Sequence, residues 1–299
     1  MSKSTKWRWL AVMLATLAVL VVAACGDDDE DGGGGGGGAS ADVEQFPADT
    51  TMGRIQEAGS IKVGVKYDVP PFGFQNPQTD EIEGFDVDLA RAVADALGVE
   101  LDPIEAISDN RIPFLMDGTA DLILSTMTIN TERDAEIDFS DPYFVARGRI
   151  LVPGDSDIQG IDDLGGQKVC TAVGSTYEET LKEQAPDAEL VLIDEYSGCL
   201  TRLQEGSVDA ISTDDVILTG MIIQDDTLEL VGDELTTEPY GAGIKDGDKE
   251  FQEFVNGVFE EYKSDPRWAE SYEKWVGQYT GQEQEPTDLS LQEALEISG

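Results

Sequence analysis

Beyond residue 60 the apolar positions fall into two alternating rhythms. Ile61, Val63 and Val65 alternate with Lys62 and Gly64, the period of a half-buried strand. Phe85, Leu89 and Val93 then share a helical face with Ala92 and Ala96, with Asp86 placed to cap that helix and Gly98 to stop it. A strand at 100–104, a short helix at 111–116, a turn at Asp117-Gly118 and an apolar strand at 120–125 follow. After Gly160 the rhythm restarts, with strands at 167–173, 189–193 and 209–213 interleaved with helices from Thr176, at 197–205 and at 215–224. Such alternation predicts parallel α/β sheets, and the restart predicts a second lobe. Two late helices carry Phe251, Phe254, Val255, Val258, Phe259 and Tyr262, then Trp268, Tyr272 and Trp275, at the spacing of core stripes.

A length of 299 residues at 40% hydrophobic content allows one large core or two moderate ones. Charge changes the picture more. With 62 acidic against 19 basic residues the net charge is −43, so nucleic acid and anionic membrane are poor partners. The acidity reads as a heavily solvated surface suited to salty surroundings and says nothing specific about a ligand. Histidine is absent, which removes the usual general base and metal ligand. Carboxylate pairs are too abundant to be informative, and no cofactor or metal is called for. Catalysis therefore lacks raw materials, and the chain is expected not to be an enzyme.

The first 24 residues read as a signal peptide: Lys3, Lys6 and Arg8 precede an uncharged, mostly apolar run at 10–24 that is short for a membrane span. The run ends in Val22-Ala23-Ala24-Cys25, which resembles the lipobox of bacterial lipoproteins and implies lipidation of Cys25. The alternative is an ordinary signal peptide with a chance cysteine. Several acyl chains at about 0.8 kcal/mol per buried methylene would anchor stably. Residues 25–51 read as a tether, acidic at 27–31 and all glycine at 32–38. As a flexible coil of about 24 residues it reaches roughly 25 to 30 Å. The remaining cysteines, Cys170 and Cys199, lie in the exported part, where a disulfide is expected; two buried free thiols are the alternative.

Several runs together resemble the extracellular solute-binding proteins of polar amino-acid ABC importers, called family 3. They are Tyr67-Asp68-Val69-Pro70-Pro71-Phe72-Gly73, Gly84-Phe85-Asp86-Val87-Asp88-Leu89, and Thr128-Ile129-Asn130-Thr131-Glu132-Arg133 leading to Asp138-Phe139-Ser140-Asp141-Pro142-Tyr143. Lys66-Tyr67-Asp68, Asn76-Pro77, Cys170, Tyr196-Ser197-Gly198-Cys199 and Tyr240-Gly241-Ala242-Gly243-Ile244-Lys245 are similar to the glutamate-binding lipoproteins within it. The resemblance implies an α/β, two-lobed, periplasmic-binding-protein-like (type II) fold with two hinge strands. Lobe 1 would be 52–146 and 238–280, lobe 2 147–237, and 281–299 an acidic tail with a short amphipathic stretch at 289–297. Hinges would fall near 144–149 and 236–240, with ligand captured between lobes that close on it.

A zwitterionic amino acid needs a fixed cation for its carboxylate and a fixed anion for its ammonium, both held dry. Arg133 matches the family's carboxylate-binding arginine, its alternative being a surface arginine at a helix start. Asp214 matches the family's ammonium-binding aspartate and could also cap the next helix. Gly174-Ser175-Thr176 precedes a helix, so backbone N–H groups and the hydroxyls of Ser175 and Thr176 are placed to receive the same carboxylate, or simply to cap. Ser125 and Thr128 match positions that bond the ammonium and carboxylate. Val69 stands where many relatives place an aromatic, leaving Phe72, Phe74 or Tyr143 as the lid. Arg111, in Ser108-Asp109-Asn110-Arg111-Ile112-Pro113, resembles the side-chain-carboxylate arginine of acidic-amino-acid binders and would act with Lys66; the alternative pairs it with Asp109 or Glu105 on the surface. These residues point to L-glutamate, or L-aspartate, with glutamine or another neutral polar amino acid as the alternative ligand. Permease subunits in the membrane are the implied partners, the receptor a monomer held by its lipid on the extracytoplasmic face of the cell membrane. A dehydratase of the same fold or a signalling module is the remaining alternative.

Overall fold

The computed structural model describes residues 43–281 and 284–298. The expected signal peptide, Cys25 and the glycine run lie outside the described residues.

The predicted rhythm forms two sheets. In the first, the strand Ser60–Val65 lies between the parallel strands Glu100–Glu105 and Leu122–Ile123, and Gly243–Ile244 and Asp138–Phe139 complete the row antiparallel. In the second, the order is Glu189–Ile193, Lys168–Ala172, Ala210–Asp214, Phe144–Pro153, Leu228–Val231, parallel across the first three and antiparallel thereafter. Helices cover the sheets as the apolar stripes require. Phe85–Leu97 buries Phe85, Leu89, Ala92 and Val93 and stops at Gly98, whose left-handed backbone turns its N–H onto the last carbonyls.

Phe144–Pro153 joins the two halves. Its first residues pair antiparallel with Thr237–Tyr240, and its last enter the second sheet. These two strands are the crossing ribbon expected of a two-lobed fold. In register, Glu238 faces Ala146 and Asp214 faces Gly148, so both carboxylates sit where the lobes meet.

Three local expectations change. Asp86 does not cap its helix; Gly84 holds that position, and Asp86 is fully buried, accepting bonds from Thr126 N–H and the Tyr143 hydroxyl, each at 2.8 Å. The strand expected at 120–125 pairs only over Leu122–Ile123, because the chain leaves the sheet there to form the loop beneath the cleft. The acidic tail ends in a docked helix, Leu291–Ile297, closed by a capping box between Ser290 and Glu293. Leu291, Ala294 and Leu295 pack on Leu115, Ile123, Met127 and Ile137, and the Leu291 N–H donates to Asp141 at 2.7 Å. This helix therefore backs the loop that carries Met127 to Ile129. No helix among the described residues is long and apolar enough to cross a membrane.

Ala294 is 0% exposed, so Ala294→Asp would bury an unpaired charge at several kcal/mol. Two half-buried leucines return less than that, and the tail helix should undock. Hydrogen exchange at 291–297 is then expected to approach the free-chain rate while Ser60–Val65 stays protected; retained protection at 291–297 would contradict the docking.

Candidate ligand-binding site

The loops at the carboxyl ends of the strands converge on a narrow cavity between the sheets, with room for little more than a water molecule, about 10 Å³. Six of the expected residues line it: Arg111, Thr128 and Arg133 from the first lobe, and Ser175, Thr176 and Asp214 from the second. Ser108, Thr126, Tyr177 and Tyr196 complete the wall. Tyr177 and Tyr196 each begin a helix and are buried, so their spacing alone reads as core.

Arg111 is 2% exposed and Arg133 8%, which excludes the surface alternative for both. Neither makes an ion pair among the described residues. Backbone carbonyls solvate them instead. Arg111 donates from Nε to Ser108 O at 3.0 Å, from Nη1 to Ser125 O at 3.0 Å and Thr126 O at 3.1 Å, and from Nη2 to Gly174 O at 3.3 Å. Arg133 donates from Nη1 to Thr128 O at 2.8 Å and from Nη2 to Gly174 O at 3.0 Å. A guanidinium has five N–H groups, so Arg133 keeps three donors free whereas Arg111 keeps one. Burial works against both charges, and for Arg111 the neighbouring Arg133 adds to it.

Gly174 brings the second lobe onto both guanidiniums. Its φ of +72° suits glycine, and a Cβ there would lie 2.7 Å from Asp109 Cα, so no side chain fits. Thr126 carries the complementary strain in the first lobe, with a φ of +43°. That conformation points its N–H at Asp86 and its carbonyl at Arg111. The buried Asp86 thus holds the loop that holds the arginine, and burial raises its carboxyl to about 7.

Asp214 ends the strand Ala210–Asp214 and stands at the N-cap position of the helix Asp215–Gln224 as the alternative has it, but its side chain makes no capping bond. Its carboxylate accepts from the Tyr177 hydroxyl at 2.8 Å. Burial, then the charge of Glu238, pushes it up to about 8. Lys66 is 2% exposed and stands behind the wall, with Nζ donating to Ser108 Oγ at 2.8 Å and lying 5.9 Å from the Tyr196 ring centre. Burial and the neighbouring Arg111 pull its ammonium down to about 7.

Other expectations are displaced. Phe72 is corrected from lid to core: it packs against Phe85, Phe144 and Tyr240 at ring distances of 5.4, 5.0 and 5.7 Å, and is 0% exposed. Phe74 packs on Trp275, and the Tyr143 hydroxyl is held by Asp86. Ser125 supports rather than lines the cavity, its hydroxyl donating to Ala106 O and its carbonyl accepting from Arg111. Thr176 stands at the N-cap position of the helix Tyr177–Gln184, but neither it nor Ser175 gives a side-chain capping bond: Ser175 Oγ lies 3.2 Å from Thr171 Oγ1, and Thr176 Oγ1 donates to Glu238 at 3.1 Å. Glu238 was not legible as part of the site. Cys170 and Cys199 lie side by side, sulfurs at bonding distance and Cα atoms 5.6 Å apart, tying the helix Tyr196–Gln204 to its neighbouring strand.

Two lobes on a paired crossing ribbon, with a polar cavity between them, define a solute-capturing binding protein. The chain belongs to the bacterial extracellular solute-binding proteins, family 3, whose model matches residues 61–278. It is 40% identical over 230 residues to the glutamine-binding protein GlnH of an ABC transporter from Bacillus subtilis, covering 76% of this chain and 84% of that one. It is 33% identical over 255 residues to the glutamate-binding protein GluB of Corynebacterium glutamicum, covering 80% and 86%. An ancestral arginine-binding protein bound to glutamine superposes with a TM-score of 0.70 at 37% identity, covering 73% of this chain and 98% of that one. The tail helix lies outside the matched segment.

Proposed function

We propose that this protein is the amino-acid receptor of an ABC importer and captures L-glutamate between its lobes. The reading rests on two buried guanidiniums, Arg111 and Arg133, that line one cavity with the buried Lys66 amine behind its wall, and no carboxylate is paired to any of them among the described residues. Arg133 takes the α-carboxylate on its remaining donors, and Asp214 takes the ammonium. Arg111 faces the side-chain carboxylate, with Lys66 behind it across Ser108. The relatives' printed ligands, glutamine and glutamate, support an amino acid with a side-chain carbonyl oxygen. Glutamine is the second reading, favoured by the single free donor on Arg111, which suits one amide oxygen as well as one carboxylate oxygen.

On this reading Cys25 carries the lipid anchor and Cys170 is disulfide-bonded to Cys199; a loop with a sequence separation of 29 contributes about 3.5 kcal/mol in the chain-entropy account. Cys25→Ala is expected to move the protein from the membrane fraction to the medium. The matured protein should show no free thiol until it is reduced.

Titration calorimetry on ligand-stripped protein against glutamate, glutamine, aspartate and arginine tests the ligand. Arg133→Ala should weaken every amino acid about 30- to 5,000-fold, the cost of truncating one partner of a buried charge pair. Arg111→Ala should weaken glutamate more than glutamine; equal losses would remove the side-chain role.

The pH dependence separates the readings further. Because the free protein holds a proton on Asp214 up to about pH 8, binding an ammonium must expel it, so affinity should rise as pH increases toward 8. At pH 7 Lys66 is about half protonated, and an anionic side chain would draw a proton onto it. Calorimetry in buffers of different ionisation enthalpy should therefore count fewer protons released for glutamate than for glutamine.

A further inference from the structure

Glu238 lies on the crossing strand Thr237–Tyr240 and is 2% exposed. It makes no ion pair among the described residues. Instead, its carboxylate collects three hydroxyl protons. Thr128 and Thr176 both donate to Oε2, at 2.5 and 3.1 Å, and Thr236 donates to Oε1 at 2.6 Å.

The three donors come from different parts of the molecule. Thr128 follows the first-sheet strand Leu122–Ile123 and bridges to Tyr240, so it belongs with the first lobe. Thr176 follows the second-sheet strand Lys168–Ala172 and opens the helix Tyr177–Gln184, so it moves with the second lobe. Thr236 immediately precedes the crossing strand. Rotation of the lobes about the ribbon would leave Thr128 and Thr236 beside Glu238 and carry Thr176 away.

We propose that Glu238 is a positioning residue that latches the lobes closed, through the hydroxyl of Thr176 and against the fixed hydroxyls of Thr128 and Thr236. The inference rests on ligand capture between the lobes and not on which amino acid is captured. A second consequence follows from proton count. A hydroxyl has one proton to donate, and both hydroxyls spend theirs on Glu238. With their protons committed to Glu238, Thr128 and Thr176 present their oxygens to the cavity as acceptors. They suit the ligand's ammonium, beside Asp214, rather than its carboxylate. Opening removes the Thr176 bond, so latch and ligand favour the same closed state.

Pulsed electron resonance between site-specific labels at exposed Glu57 and Glu205, one on each lobe, reads closure in the ligand-free protein without reference to any ligand. The unsubstituted protein should populate the short distance. Glu238→Gln should lower the closed-to-open ratio about tenfold or more, the worth of a hydrogen bond to a charged group. Thr176→Val should do the same, Thr176→Ser should restore closure, and Glu238→Gln in the Thr176→Val background should add nothing. An unchanged closed fraction in Glu238→Gln, additive losses in the double variant, or a ligand-free protein that is wholly open would each overturn the latch. Failure of the glutamate assignment would leave these distances untouched.

Discussion

Two guanidinium groups without carboxylate partners among the described residues, held in the seam between the lobes, set the terms for the rest of the structure. An ion moved out of water into a protein interior costs several kcal/mol unless other dipoles replace the solvent. Here backbone carbonyls replace it, drawn from Ser108, Ser125, Thr126, Thr128 and Gly174. Carbonyls can do this only if the loops that carry them are fixed. The positive φ of Thr126 is therefore locked from behind by Asp86, which is itself held by Tyr143, and the tail helix packs behind the same loop. The loop is thus an immobilised solvation shell with gaps left open toward the cavity.

Topology puts the cavity's polar groups on both lobes. The second lobe reaches the cavity through Gly174, Thr176 and Asp214, while the first supplies both arginines. Neither lobe alone completes the partners of a zwitterion. The crossing ribbon sets the register, because the strand Phe144–Pro153 pairs first with Thr237–Tyr240 and then with Ala210–Asp214. Gly148 sits at the junction, where a Cβ would lie 2.3 Å from Thr236 Oγ1 and 2.9 Å from the Tyr177 hydroxyl. Only a residue without a side chain lets Tyr177 reach Asp214 there.

Much of this was legible in the sequence, and the failures share a cause. Periodicity located the parallel strands and the helix Asp215–Gln224, since those segments bury faces over several residues. It overextended the strand near 122, where apolar residues continue into a loop that is buried for another reason. Asp86 looked like a cap because an acid in a helix's first turn gives one signal, whether its oxygens meet its own backbone or a distant N–H. Phe72 looked like a lid because a lid and a core aromatic are the same residue in one dimension. Arg111 and Arg133 were found through motif resemblance, but their carbonyl shells were not, because backbone acceptors leave no trace in residue type. Glu238 was invisible for the opposite reason: one carboxylate among 62 acidic residues carries no signal until coordinates bury it.

The acidity and the cationic cavity act over different distances. A net charge of −43 sets a repulsive field for an anion, but salt screens it beyond about 8 to 10 Å. The groove leading to the cavity continues that sign, with Asp109, Glu132, Glu136, Glu178, Glu179 and Glu183 along it against Lys182 and Arg133. Long-range and mouth charges act chiefly on encounter rates, whereas affinity depends on contacts made after water has left. Inside, Arg111 and Arg133 are buried in the cavity wall, where screening is weakest. A strongly acidic surface and a cationic cavity are therefore compatible: surface charge favours solubility in salt, and the cavity's desolvated groups lie where the surface field barely reaches.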